Sequence, residues 1–142
     1  MNALNQELVS CVAADTVREV AVLMKKKNVE AVPVTKNGVL QGLITERDLV
    51  LRCLAETASG GPLTAGDVMT RVVETVRFDE SVYSVAEKMK KANARRNPVV
   101  DHSGKALGVL SFDDLIQSIG MEIQDLVDAT QPLMPALRRQ VA

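Results

Sequence analysis

The chain repeats one pattern of residues at an almost constant spacing. At an offset of 65 positions, residues 17–34 and 82–99 share nine identical side chains; one extra residue then changes the offset to 66. A duplicated unit of this size cannot easily bury its own apolar face, so we expect the two copies to pack against each other. A site formed by one copy should then have a near-twin in the other. The identical first-copy residues are Val17, Val20, Ala21, Met24, Lys25, Lys26, Asn28, Pro33 and Val34.

Each copy is predicted to fold as β-α-β-β-α, which makes the chain an α/β (α+β) protein. Short strands at Leu8–Val12 and Val72–Val76 open the two units. Thr16 and Glu19 form a capping-box pattern before an apolar helical stripe. The clearest break is the Gly- and Pro-containing linker Ala58–Pro62. We therefore expect a first repeat at 1–60, a second repeat at 61–120 and a C-terminal helical tail at 121–142.

Composition narrows the possible partners. The chain has 17 basic and 18 acidic residues, a net charge of −1, whereas nucleic-acid binding needs a surplus of Lys and Arg. Aromatic residues make up 2% of the chain, so platforms for stacking single-stranded bases are almost absent. Nucleic acid is therefore not expected as a partner.

The cysteines and the apolar runs indicate a cellular setting. Cys11 and Cys53 are the two cysteines, and their apolar contexts favour reduced, buried thiols over a disulfide. No apolar run reaches membrane-spanning length, and no signal sequence is visible at the start. We expect a cytoplasmic protein without membrane insertion.

Each copy ends in a matching heptad, residues 42–48 and residues 108–114. In both, a Gly and two aliphatic residues lead to a hydroxyl, Thr45 or Ser111. An acid follows three positions later, Asp48 or Asp114. The start of a helix attracts phosphate, and an adjacent carboxylate can accept hydrogen bonds from a ribose diol. The small Gly would allow close approach of a ligand. The heptads therefore suit a ribose-phosphate fragment.

The same heptads have a simpler interpretation. A hydroxyl followed three residues later by an acid is also close to a capping box, which needs no ligand. Duplication does not decide between the two, because a duplicated cap is still a cap.

The two copies differ at one place that bears on a ligand. Where the first copy has Glu30 and Ala31, the second has Arg95 and Arg96, followed by Asn97 and Pro98. Arginine captures phosphate through two parallel hydrogen bonds. Asn97 could present its amide to a base edge. The alternatives are a surface arginine pair held by ion pairs, and a turn or edge role for the asparagine.

These residues together resemble the CBS domain, named after cystathionine beta-synthase. The resemblance rests on the helix at 16–24, the strand Val32-Pro33-Val34 and the heptad ending at Asp48, and it recurs over 81–115. The short segment Asp67-Val68-Met69-Thr70 resembles the usual lead-in to such a domain. The resemblance to the CBS domain implies two repeats packed as a pseudo-two-fold module. Such modules commonly dimerise.

The resemblance also implies a ligand. CBS pairs bind adenosine-containing molecules such as AMP, ADP, ATP, NAD or S-adenosylmethionine in the cleft between repeats. It assigns Thr45, Asp48, Ser111 and Asp114 to ribose and phosphate, and Arg95 and Arg96 to phosphate. Because the first copy lacks the arginines, we expect one stronger site, which uses them together with Asp114, and one weaker or empty site.

Three functions follow from these observations. The first is a regulatory sensor that binds an adenine nucleotide and signals to a separate protein. The second, an enzyme, is not expected, because the single histidine, His102, has no nucleophile partner and no metal-ligand spacing is present. The third is a ligand-free structural dimerisation module in which the heptads are caps. No cofactor is expected to be required.

Overall fold

The duplicated pattern folds into two similar units. A computed structural model describes residues 7–56, 63–71 and 73–130. The predicted linker Ala58–Pro62 lies outside the described residues, as do 1–6 and 131–142. The elements are α1 (Val17–Lys27), β1 (Ala31–Lys36), β2 (Val39–Thr45), α2 (Glu46–Asp48), a π-helix (Leu49–Leu54), α3 (Ala65–Val68), β3 (Val76–Arg77), α4 (Val82–Ala92), β4 (Arg96–Val100), β5 (Ala106–Ser111) and α5 (Phe112–Thr130).

Helix α1 begins where its sequence predicts. Thr16 Oγ1 accepts a hydrogen bond from the Glu19 amide, and a Glu19 carboxylate oxygen accepts one from the Thr16 amide, both at 3.1 Å. The helix ends at Asn28, whose φ of 53° is left-handed, a conformation that asparagine tolerates. Val20 and Met24 bury the apolar stripe. The capping box is confirmed.

The first sheet has two antiparallel strands, β1 and β2. Their turn uses the positive φ angles of Asn37 (52°) and Gly38 (82°). The short strand predicted at Leu8–Val12 is reduced to a single bridge, in which Cys11 lies opposite Val34 of β1. The chain turns directly afterwards.

Asp15 explains why the pairing of Cys11 with β1 does not continue through Val12. A carboxylate oxygen of Asp15 accepts a hydrogen bond from the Val12 amide at 3.0 Å, and the Asp15 amide donates to the Val12 carbonyl at 3.1 Å. These bonds occupy backbone groups that a strand would need for its ladder.

The second sheet has the order β3-β4-β5, with β3 parallel and β5 antiparallel to β4. Of the strand predicted at Val72–Val76, Val72 lies outside the described residues, and β3 begins only at Val76. Side chains take the preceding carbonyls, since Asn97 Nδ2 donates to that of Glu74 at 2.9 Å and Lys88 Nζ to that of Thr75 at 3.2 Å.

The two units are related by a pseudo-two-fold axis. Val39 bridges Lys105, its own counterpart 66 positions later in the sequence. The bonds on either side are equivalent: the Leu40 amide donates to the Gly104 carbonyl at 3.1 Å, and the Ala106 amide donates to the Gly38 carbonyl at 3.0 Å. The axis therefore passes between Val39 and Lys105, which confirms the predicted packing.

Each unit has its own apolar core, and the core of the first unit also contains residues from the second copy. Helix α3 and Met69, in the lead-in of the second repeat, pack into the core of the first. Gly42 permits this contact, because a Cβ there would lie 2.7 Å from the Thr70 carbonyl oxygen and from Met69 Sδ. The expectation that this glycine makes room for a ligand is wrong for Gly42. It makes room for the lead-in.

Helix α5 runs without a break through Gly120. The second repeat and the predicted helical tail, expected to divide at 120, therefore share one helix up to Thr130. Within the described part of the chain, no helix is long and apolar enough to cross a membrane.

Candidate functional site

Two clefts open along the boundary between the repeats. The Thr45 cleft has a volume of about 630 Å³ and the Ser111 cleft about 410 Å³. The Thr45 cleft is lined by Glu30, Leu43, Thr45, Glu46, Arg47, Asp48, Thr70, Val73, Glu74, Ala92, Asn93, Ala94, Arg95, Arg96 and Asn97. The Ser111 cleft is lined by Glu7, Leu8, Val9, Asn28, Val29, Glu30, Ala31, Arg96, Val99, Leu107, Gly108, Val109, Leu110, Ser111, Asp113 and Asp114.

The pseudo-two-fold axis exchanges the two clefts. Each takes its heptad from one repeat and the segment before the central strand from the other. Arg95, for example, lies in the cleft of Thr45 and Asp48. Its counterpart Glu30, at an offset of 65, lies in the cleft of Ser111. The sites are therefore built across the repeats, and neither repeat supplies one alone.

The heptad residues form capping boxes in both repeats, as the simpler interpretation predicts. The Thr45 amide donates to Asp48 Oδ2 at 2.9 Å, and the Asp48 amide donates to Thr45 Oγ1 at 3.2 Å. Ser111 and Asp114 make the same two bonds at 3.1 and 3.0 Å. These bonds use one oxygen of each carboxylate and leave the hydroxyl proton to be donated. A cap and a ligand site are therefore chemically compatible here.

Arg52 adds a contact to the first heptad that was not predicted from the sequence. Its Nε lies 3.8 Å from Asp48 Oδ1, and its Nη1 donates to the Val68 carbonyl at 2.9 Å and to Thr70 Oγ1 at 3.1 Å. The i,i+4 spacing from Asp48 could have revealed the ion pair. At the offset of 66 the second repeat has Ser118, which carries no charge.

The two arginines occupy different positions. The Arg95 side chain is 73% exposed, lies 3.9 Å from Asp113 and covers the Phe112 ring with 5.0 Å to its centroid. Arg96 forms an ion pair with Glu30, and both line both clefts. The expectation that the arginines combine with Asp114 is therefore wrong for Arg95. Arg95 instead lines the cleft that contains Thr45 and Asp48, because each cleft is built from segments of both repeats.

Asn97 and Pro98 are both fully buried in β4. Asn97 lines the Thr45 cleft, whereas Pro98 lines neither cleft. In the sheet, Pro98 pairs with Val109. Of the eight predicted site residues, Pro98 is thus the one that the structure keeps away from the clefts.

The clefts differ in charge. The Thr45 cleft has three arginines and four carboxylates along its walls, while the Ser111 cleft has one arginine and four carboxylates. A phosphate is repelled more strongly by the second arrangement. Among the described residues, no group of three or more His, Cys, Asp or Glu side chains could hold a metal ion.

Comparison with known proteins supports this architecture. The CBS domain family matches residues 2–54 and 65–120. CBS domain-containing protein YhcV of Bacillus subtilis is 34% identical over 100 residues, 70% of each chain. An uncharacterized protein of Methanopyrus kandleri, MK0525, is 32% identical over 104 residues, and the match spans 72% of this chain but about half, 53%, of that protein.

Two solved structures share the fold. The CBS domain pair of protein MJ0100, in complex with 5′-methylthioadenosine and S-adenosyl-L-methionine, superposes with a TM-score of 0.74 and 30% identity, covering 85% of this chain and 94% of that one. PAE2072 of Pyrobaculum aerophilum, complexed with AMP, gives a TM-score of 0.68 at 30% identity, covering 78% and 86%. The chain therefore belongs to the CBS domain family and carries two such domains in tandem.

Proposed function

We propose that the chain is a regulatory module that binds an adenine nucleotide and signals to a separate partner protein. One observation carries this proposal: the Thr45 cleft combines a hydroxyl, a carboxylate and three arginines between two repeats. Related CBS pairs solved with AMP, or with 5′-methylthioadenosine and S-adenosyl-L-methionine, support an adenosine-containing ligand. No catalysis is assigned to it.

The phosphate would bind at the arginines of the Thr45 cleft. Arg95 is mostly exposed, and its 3.9 Å contact with Asp113 is a weak surface ion pair that a phosphate can replace. Arg47 and Arg96 line the same cleft. Guanidinium groups match the geometry of phosphate oxygens, so AMP, ADP, ATP or NAD would each have a partner here.

The ribose would bind at the heptad. Asp48 Oδ2 is committed to the cap, while Oδ1 lies beyond hydrogen-bond distance of Arg52 at 3.8 Å and can accept from a hydroxyl. The Thr45 hydroxyl keeps its proton for a sugar or phosphate oxygen. The side chain of Asp48 is 16% exposed, so a carboxylate-hydroxyl contact there is shielded from water.

The Ser111 cleft would bind a phosphate-bearing ligand more weakly. Glu30 and Ala31 stand where the other cleft has Arg95 and Arg96, and Asp113 stands where it has Arg47. We therefore propose one strong nucleotide site per chain, with Asp48 rather than Asp114 at its ribose.

Calorimetry of the full chain tests this function. AMP, ADP, ATP, NAD and S-adenosylmethionine would each be titrated, and thermal unfolding measured with the same ligands. We expect at least one to bind with one strong site per chain and to raise the unfolding midpoint, because a ligand of the native state stabilises it by mass action. No heat and no shift with any of them at millimolar concentration would refute the proposal.

The second candidate is a ligand-free dimerisation module. It is favoured by the capping boxes, which are complete without a ligand, and by exposed apolar residues on α5 such as Ile116 (51%) and Leu126 (67%). Sedimentation of the chain over a wide concentration range, with and without AMP, separates the two. A stable dimer together with no ligand binding favours the second function.

A further inference from the structure

Asn97 is a polar residue at a position where the first repeat is apolar. Its counterpart at an offset of 65 is Val32, which lies in the first core, and both are fully buried. Burying an amide in place of an alkyl group is destabilising unless its polar atoms find partners. The burial of Asn97 therefore requires an explanation that the burial of Val32 does not.

The orientation of the Asn97 amide is fixed by its neighbour. Its Nδ2 lies 2.9 Å from the Glu74 carbonyl oxygen. A carbonyl can only accept, so the NH₂ end must face it and the oxygen must point the other way. Among the described residues, Oδ1 of Asn97 is the one buried side-chain polar atom without a hydrogen-bond partner. An acceptor is thus held in place and left unused.

Asn97, the residue that carries the unused acceptor, is one of the residues that line the Thr45 cleft. Asn97 lines this cleft with Leu43 and Val73, which offer apolar surface to a ring, while Thr45 and Asp48 lie at the proposed ribose position. Next in the chain is Arg96, at the proposed phosphate position. A group within reach of Oδ1 would therefore belong to the base and must donate a hydrogen bond.

We propose that Asn97 Oδ1 determines base specificity in the Thr45 cleft by accepting a hydrogen bond from the exocyclic amine of a 6-aminopurine. This inference rests on the proposed function, because it requires a nucleotide in that cleft. A 6-oxopurine would present an acceptor at the same place, and two facing acceptors leave both unsatisfied. Sites that hydrogen-bond a particular ligand group discriminate strongly against analogues that lack it.

The test compares ligands and a variant by calorimetry on the full chain. AMP would be titrated against purine riboside 5′-monophosphate, which lacks the amine, and against inosine 5′-monophosphate, which has the oxo group. For the unmodified chain we expect AMP to bind at least about tenfold more tightly than either. In Asn97→Val, which copies the first repeat, we expect AMP and purine riboside 5′-monophosphate to bind equally.

Thermal unfolding of ligand-free Asn97→Val separates specificity from folding. We expect little change in the unfolding midpoint, since removal of the unsatisfied buried acceptor offsets the loss of the 2.9 Å bond to the Glu74 carbonyl. An Asn97→Val protein that keeps the full preference for AMP would overturn the inference. So would an unmodified chain that binds AMP and both analogues equally, a comparison that needs no variant to fold. Failure of all three nucleotides to bind the unmodified chain would instead overturn the proposed function.

Discussion

Glu30 and Arg96 form an ion pair across the boundary between the two repeats, and each side chain lines both clefts. The two residues are not counterparts: at the offset of 65, Glu30 corresponds to Arg95 and Ala31 to Arg96. The pair therefore exists only because the copies diverged. The ion pair places one carboxylate and one guanidinium group at the point where both clefts meet.

Replacing Glu30 should strengthen nucleotide binding. Glu30→Gln removes a carboxylate from the Thr45 cleft and releases Arg96 for a phosphate. Because the pair is partly exposed, we expect a modest decrease in the Kd for AMP, up to about fivefold. Calorimetry at low and high salt measures it, and Glu87→Gln, an exposed acid outside the clefts, is the control. Weaker AMP binding by Glu30→Gln would contradict this role.

Removing Arg95 should weaken binding of nucleotides but not of the nucleoside. Arg95→Ala is expected to raise the Kd for AMP about five- to tenfold through the loss of a charge-assisted bond to phosphate, and to leave adenosine unchanged. Arg18→Ala, an exposed arginine on α1, is the matched control. An equal loss for AMP and adenosine would indicate a structural role for Arg95.

The two heptad acids should differ in importance. Asn can still accept the capping bond, so Asp48→Asn and Asp114→Asn test charge and ribose contact with little change in the fold. We expect Asp48→Asn to raise the Kd for AMP about tenfold and Asp114→Asn less than about twofold. This proposed order is the reverse of the one expected from the sequence. Equal losses measured by calorimetry would argue for two equivalent sites.

Two glycines should respond oppositely to alanine. Gly42→Ala would place a Cβ 2.7 Å from the Thr70 carbonyl oxygen and should destabilise the protein by about 1–3 kcal/mol. Gly120 lies inside α5 with nothing within 4 Å of an added Cβ, so Gly120→Ala should stabilise by about 0.5–1 kcal/mol. Urea unfolding checks both. An unchanged free energy of unfolding for Gly42→Ala would show that the lead-in can move away from the added Cβ.

Cys11 should make stability fall at alkaline pH. Burial, with a smaller contribution from the Asp15 carboxylate, raises the pKa of the Cys11 thiol from 9.0 to about 11. Because the unfolded chain loses this proton first, the stabilisation is complete below pH 9 and is lost as the pH rises towards about 11. Unfolding measured across this range should show a smaller decrease for Cys11→Ala than for the parent. Cys53→Ala, which alters a partly exposed thiol, should keep the parent's decrease.

Local signals predicted local structure well. The Thr16 cap and the capping boxes at Thr45 and Ser111 each depend on residues within four positions of one another. The strand at Leu8–Val12 is interrupted by local bonds to Asp15, whereas the failure before β3 depends on distant residues. The shortening before β3 comes from Asn97 and Lys88, more than ten positions away.

The cleft to which Arg95 belongs also depended on distant contacts. In the sequence Arg95 is closer to Ser111 than to Thr45, and only the pseudo-two-fold packing brings it to the heptad of the other repeat. For the same reason Gly42 and Gly108 share a motif but not a role, since Gly42 contacts the lead-in while Gly108 lines a cleft. The repeated sequence pattern predicted the two units. It did not predict that each cleft combines the heptad of one repeat with the segment before the central strand of the other.

The unbroken helix α5 has a mechanical consequence. It begins next to Ser111 in one cleft and continues for 19 residues, a rod of about 28 Å. A tilt of about 10° at its first turn would sweep the far end through about 5 Å, a displacement comparable to one helical turn. Under the proposed function, a tilt caused by a ligand in the cleft would therefore be enlarged at the exposed end of the helix, where a partner protein could detect it.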